Sequence, residues 1–237
     1  MRWTIALFPV FLLLYCFLYF RAPSPSSLAS FGNISHWLAL LFGVVCLIQV
    51  TKRTPAADFQ KWLYLTLGVF IWLLAQGLSV YSELLLKKAA YGSVADFVWI
   101  IGFGFIIRSL FRFASESASK RKLLFWHIGG FIIFLLVIVA LIPALKNPER
   151  DPRFKLLDVI YTFLEVWTVL LAVLIARNTG DKRPWLVAAI ALTVLLISDT
   201  IVSYFMDISN PWFRYLDIPV FIGYSSWWLL GALTRPG

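Results

Sequence analysis

Charge is what this 237-residue chain has least of. Only 14% of its residues are Asp, Glu, Lys or Arg, against 61% hydrophobic, and mean hydropathy is +0.84. A soluble domain is about 25% charged and roughly 45–50% apolar. A soluble enzyme, a disordered tail and a secreted disulfide scaffold are therefore excluded. Cysteine is scarce too, with Cys16 and Cys46 both inside apolar runs. On the topology below they lie about 12 Å apart along the membrane normal, at about 1.5 Å per residue. A disulfide needs Cα atoms within about 7 Å, so both are packing residues. His36 and His127 fall at span ends on opposite faces, and no other cluster has metal-ligand spacing. No lysine stands mid-span, and no Gly-rich phosphate loop, paired CxxC or nucleophile elbow is present. Neither cofactor nor metal is expected.

What the chain has is long apolar runs. Eight approach the roughly 20 residues a membrane helix needs: Trp3–Phe20, Ile34–Val50, Trp62–Ser82, Val94–Phe111, Leu123–Leu145, Leu156–Ala176, Trp185–Phe205 and Leu216–Leu233. Their continuity excludes the alternation of a barrel. Tyr19-Phe20-Arg21-Ala22 lacks the small residues of a cleavage site, so the first run is read as a retained helix. Ala22-Pro23-Ser24-Pro25, Thr54-Pro55 and Asn147-Pro148 punctuate the runs, and Trp3, Trp62, Trp126, Trp185 and Trp212 stand near their ends, where indole suits the headgroup layer. The expected fold is all-α, a polytopic bundle of eight transmembrane helices forming one membrane domain over 1–237.

The net charge of +9 reads as topology, not nucleic-acid binding. The face bearing both termini holds the larger share of the 21 Lys and Arg, including Lys52, Arg53, Arg108, Arg112, Lys120, Arg121 and Lys122. The positive-inside rule then puts both termini in the cytoplasm. A repeat is also legible. Gln76-x4-Tyr81-x14-Asp96-x5-Gly102-Phe103 crosses from span three to four, and Asp199-x4-Tyr204-x12-Asp217-x5-Gly223-Tyr224 from span seven to eight. Halves 1–115 and 120–237 would be parallel repeats about an axis along the membrane normal.

An ionisable group at a helix centre costs about 2.5–3.5 kcal/mol, so intramembrane acids mark the candidate site. Span six carries Asp158-x-x-Tyr161-Thr162-x-x-Glu165-x-x-Thr168. Asp158 and Glu165 share a face about 10 Å apart along it. Span seven offers Thr193, Ser198-Asp199-Thr200 and Ser203; span three offers Gln76, Ser79 and Glu83 on one face. Glu83, Asp96, Asp158, Asp199, Asp207 and Asp217 all fall in the half of the bundle away from the termini, with Glu165 near its centre. That depth pattern predicts an acid-lined cavity open on one side, walled by Tyr81, Tyr161, Tyr204, Trp99 and Tyr224. Its expected ligand-binding set is Glu165, Asp199, Asp158, Tyr161, Gln76, Tyr81 and Tyr204. Structural roles compete: Gln76 and Ser198 as interhelical hydrogen-bond glue, Glu165 and Asp199 as structural donors, Glu83 as a partner of Lys87, and Asp96 and Asp217 as helix caps.

Ser93-Val94-Ala95-Asp96-Phe97-Val98-Trp99-Ile100-Ile101-Gly102-Phe103 resembles the "P-S-x-A-D-x-x-W-L-x-G-Y" stretch of bacterial multi-span sensory domains, which precede histidine kinase or diguanylate cyclase modules. Leu196-Ile197-Ser198-Asp199 through Tyr204, with Leu216-Asp217 and Ile222-Gly223-Tyr224, is similar to their later spans. The resemblance covers about a third of the chain, and no output module follows up to Gly237. It implies a free-standing inner-membrane module that binds a small or lipid-like ligand and signals through a partner protein. Ser198-Asp199 also resembles the Ser-Asp pair of lysoplasmalogenase-like membrane hydrolases, although their earlier Gly-Asp signature is replaced by Gln76-Gly77-Leu78. That resemblance implies an intramembrane lipid hydrolase with Glu165 and Asp199 catalytic. A proton-coupled transporter using Asp199 is the third reading.

Overall fold

The computed structural model describes residues 2–21, 25–87, 92–205 and 217–234; the side chains of 2–6, 25–30, 202–205 and 217 lie outside the described set. Tyr204, Asp207, Asp217, Trp3 and Trp212, each given a role above, therefore fall outside it as side chains. Every regular element described is helical: α1 (Arg2–Arg21), α2 (Pro25–Arg53), α3 (Ala56–Val80) running into a π-helical turn (Tyr81–Leu85), α4 (Val94–Ser117), α5 (Lys120–Lys146), α6 (Pro152–Asn178), α7 (Arg183–Phe205), α8 (Asp217–Tyr224) and α9 (Ser226–Leu233). Helices are what such runs must form, because hydrocarbon offers no partner for backbone amides and carbonyls.

Six stretches are long and apolar enough to cross a membrane: Phe31–Arg53, Ala56–Leu85, Val94–Ser117, Lys120–Lys146, Pro152–Asn178 and Arg183–Ile201. The first and last expected spans are helical as well, with shorter described apolar stretches at Leu7–Arg21 and Ile218–Leu233. The last is divided at Ser225, yet hydrogen bonds cross the division: the Ser225 amide donates to Phe221 O at 3.0 Å and the Leu229 amide to Ser225 O at 3.0 Å.

Local chemistry sets the helix starts. Ser93 and Asp96 form a reciprocal capping box on α4. Asp151 caps α6, accepting from the Arg153 amide at 2.8 Å, with Pro152 in the first turn. The Arg153 guanidinium and amide, both hydrogen-bonded to Asp151, hold its carboxyl below the usual carboxylate range.

Helix α3 packs closely on α4 and α2, and α6 packs on α7. Helix α4 also rests on α6, and α8 and α9 rest on α2 and α7. Leu65, Val69, Ile106, Leu110, Leu174 and Leu192 fill the core. Trp62 and Trp185 turn into the bundle: both are buried, 6.0 Å apart, and each packs on Phe113, so their indole area is buried between helices. Helix α5 buries only Gly130, Leu141 and Ala144 and exposes Leu124, Phe125, Phe131, Leu136 and Val139 outward. An outward apolar face of that extent suits acyl chains, not water. Cys16 and Cys46 are free thiols, as expected.

Backbones meet at Gly68 and Gly102. A Cβ at Gly102 would stand 2.4 Å from Trp72 Cδ1 and 3.0 Å from Gly68 O. Gly102→Ala should therefore force α3 and α4 apart and cost about 1–3 kcal/mol. Gly104→Ala, with nothing within 4 Å of the added methyl, should leave the thermal midpoint in detergent unchanged. Equal midpoints for the two variants would contradict this packing.

Candidate functional site

A cavity of about 280 Å³ lies between α2, α3, α4, α6, α7 and α8. It reaches from Glu83, in the π-helical turn after α3, and Asp96, in the first turn of α4, down to Glu165 midway along α6. Beyond Glu165 the helices close over Leu171, Leu174, Leu65 and Ile106, all buried. The cavity is thus confined to the half of the bundle where α3 ends and α4 and α6 begin.

Of the expected ligand-binding residues, Glu165, Asp199, Asp158, Tyr161 and Gln76 all line this cavity. Tyr81 does not; its side chain is 50% exposed. Ser79 and Glu83 face the cavity, and a residue two positions from either is turned about 200° around the helix. The Tyr204 side chain lies outside the described set.

Each acid is held differently. Glu165 and Asp199, from α6 and α7, come together in the cavity wall, with His36 close to Asp199. Asp158 is paired with Arg150, Nη2 to Oδ2 at 2.6 Å, with side chains 1% and 2% exposed respectively. Asp96 does cap its helix, accepting from the Ser93 amide at 2.9 Å, yet its other oxygen accepts from the Tyr161 hydroxyl at 2.7 Å. Glu83 departs from expectation. Its carboxylate accepts from the Asn33 amide at 2.5 Å, and among the described residues it forms no ion pair with Lys87. The left-handed backbone at Lys87, φ 55°, ends the helix before an i,i+4 pair can form.

Gln76 Nε2 donates to the backbone and side-chain oxygens of Asn33, both at 3.4 Å, so it does join two helices. Ser198 does not. It donates to Val194 O at 2.7 Å on its own helix and stays out of the cavity lining. The aromatic wall is Trp72, Trp99, Phe103 and Tyr224. Trp72 Nε1 donates to Trp99 O at 3.2 Å, and Trp99 stacks on Tyr224 at 5.6 Å and 16°.

Asn33, His36 and Trp72 belong to the site although sequence reasoning gave them no role in it. The available signal was the three-residue spacing of Asn33 and His36 at the start of a span. Among the described residues no three His, Cys, Asp or Glu side chains converge to hold a metal. Comparison with protein-family models, curated proteins and solved structures gives no significant match. The arrangement itself carries the functional argument. It can hold a polar or cationic group, or pass a proton, at a depth shielded from water.

Removing Arg150 would take the cationic partner from a buried carboxylate. Arg150→Ala should cost about 3–5 kcal/mol, whereas Arg150→Met combined with Asp158→Leu should recover most of it. Thermal unfolding of the two variants in one detergent checks this; equal losses would show that the pair is not coupled.

Proposed function

We propose that this protein is an eight-span bundle of the bacterial inner membrane that binds a small or lipid-like ligand in its acid-lined cavity. It acts as a sensory or accessory module, with both termini cytoplasmic and a partner protein receiving the signal. The carrying observation is that Glu165 and Asp199, on different helices, meet inside the same cavity as Asp158, Tyr161 and Gln76. Intramembrane acids placed purely for packing have no reason to converge on an empty volume.

A 4+4 repeat is part of the proposal, and the packing supports it. The offset relating Gln76 to Asp199 also relates Trp72 to Leu195 and Trp62 to Trp185. Gly102 abuts Trp72, and Gly223 abuts Leu195 in the same way. Trp62 and Trp185 touch each other, as equivalent residues beside a two-fold axis would. Helix α4 resting on α6 is matched by α8 and α9 resting on α2. The cavity then lies between the two halves, where repeat-built membrane proteins place their ligands.

Mass spectrometry of the gently solubilised protein should find a co-purifying small molecule or lipid. In the Glu165→Gln/Asp199→Asn double variant, which keeps hydrogen-bonding capacity but loses the acids, that molecule should be depleted. Identical spectra for wild type and double variant would count against a ligand role.

The meeting of two acids in one cavity favours one second reading, an intramembrane lipid hydrolase in which one acid activates water and the other donates a proton. The readings differ in their response to single variants. A binding site keeps one acid in Glu165→Gln or in Asp199→Asn and should tolerate either. General acid–base catalysis needs both groups. Lysolipid hydrolysis lost in each single variant would establish the enzyme, and no turnover across several lipid classes would remove it.

A further inference from the structure

The walls of the cavity narrow the class of molecule it would hold. Among the described residues its lining carries five carboxyl groups, Glu83, Asp96, Asp158, Glu165 and Asp199, and neither lysine nor arginine. Among those residues, only Asp158 is matched by a Lys or Arg side chain, Arg150, in an ion pair. Glu83 and Asp96 are held by neutral donors, the Asn33 amide and the Tyr161 hydroxyl. An anion entering this space meets several carboxyl groups, and among the described lining residues no lysine or arginine to receive it. A divalent metal needs several converging carboxylate or imidazole ligands, and among the described residues no such group exists.

A further observation points to an organic occupant. Trp72, Trp99 and Tyr224 line the same volume, and aromatic rings attract cations.

We infer that the cavity takes an organic ammonium ion, its charged nitrogen between the carboxyls and the Trp99 and Tyr224 rings and its apolar body against Trp72 and Phe103. The inference rests on the ligand-binding reading and names the chemistry of that ligand. The ammonium group can belong to a free amine or to a lipid headgroup.

The test is equilibrium binding to the full chain in nanodiscs. Choline, tetraethylammonium and lysophosphatidylethanolamine are the probes. Uncharged 3,3-dimethylbutan-1-ol is the counterpart of choline, and lysophosphatidic acid that of the lipid. Saturable binding of an ammonium probe without its counterpart is expected. Binding of choline or tetraethylammonium identifies a free-amine site; binding of the lysolipid alone identifies a headgroup site. The Glu165→Gln/Asp199→Asn variant should weaken the bound probe at least about tenfold, by loss of the charge. Trp99→Leu, outside the carboxyl pair, should weaken it about tenfold while the uncharged counterpart stays unbound. Counterparts that bind as well as their ammonium probes, or no binding by any ammonium probe, would overturn the inference. A co-purifying anion or neutral lipid would also overturn it, while leaving the ligand-binding reading standing.

Discussion

Two acids in hydrocarbon are tolerated here because they face one another. Glu165 on α6 is buried and Asp199 on α7 half-buried, and both turn toward the shared polar cavity instead of acyl chains, which would leave their polar atoms bare. The contact constrains the rest of the bundle. Helices α6 and α7 must meet at that level, and the surrounding space must be polar enough to receive both groups. The cavity and its further hydrogen-bonding groups are arranged around that requirement.

The scaffold is apolar packing of an ordinary kind. Glycines let α3 and α4 approach until the Trp72 ring covers Gly102, and the same indole then hydrogen-bonds back to Trp99 O. This fixes two of the aromatic faces lining the cavity. At the other end of the bundle, Trp62, Trp185 and Phe113 close the core. Rigid walls and a sealed floor let a polar volume persist inside the bundle without water crossing it.

Much of the site was legible from depth alone. An acid in a long apolar run must be explained, and Glu165, Asp158 and Asp199 all reached the cavity, with Tyr161 and Gln76 following from helical spacing. Spacing failed where the helix phase was not tracked residue by residue. Tyr81 stands on the far side of α3 from Ser79 and Glu83, and Ser198 turns back to its own helix although Asp199 beside it points inward. The competing Glu83–Lys87 pair does not form because an i,i+4 pair needs an intact helix, and the chain leaves helical geometry at Lys87. Asn33 and His36 were passed over because neighbours across a bundle leave no mark in a single chain's periodicity.

Composition and run length by themselves determined that the chain forms apolar helices, since the scarcity of charge and the continuity of the runs leave no other way to satisfy the backbone in lipid. They also determined which residues would be costly to bury. Which helices adjoin, and hence whether Glu165 meets Asp199 or acyl chains, was decided only by tertiary packing. Side-chain partners on different helices are separated by long stretches of sequence, and helix rotation about its own axis is set by the neighbouring surfaces, not by the residues of that helix alone.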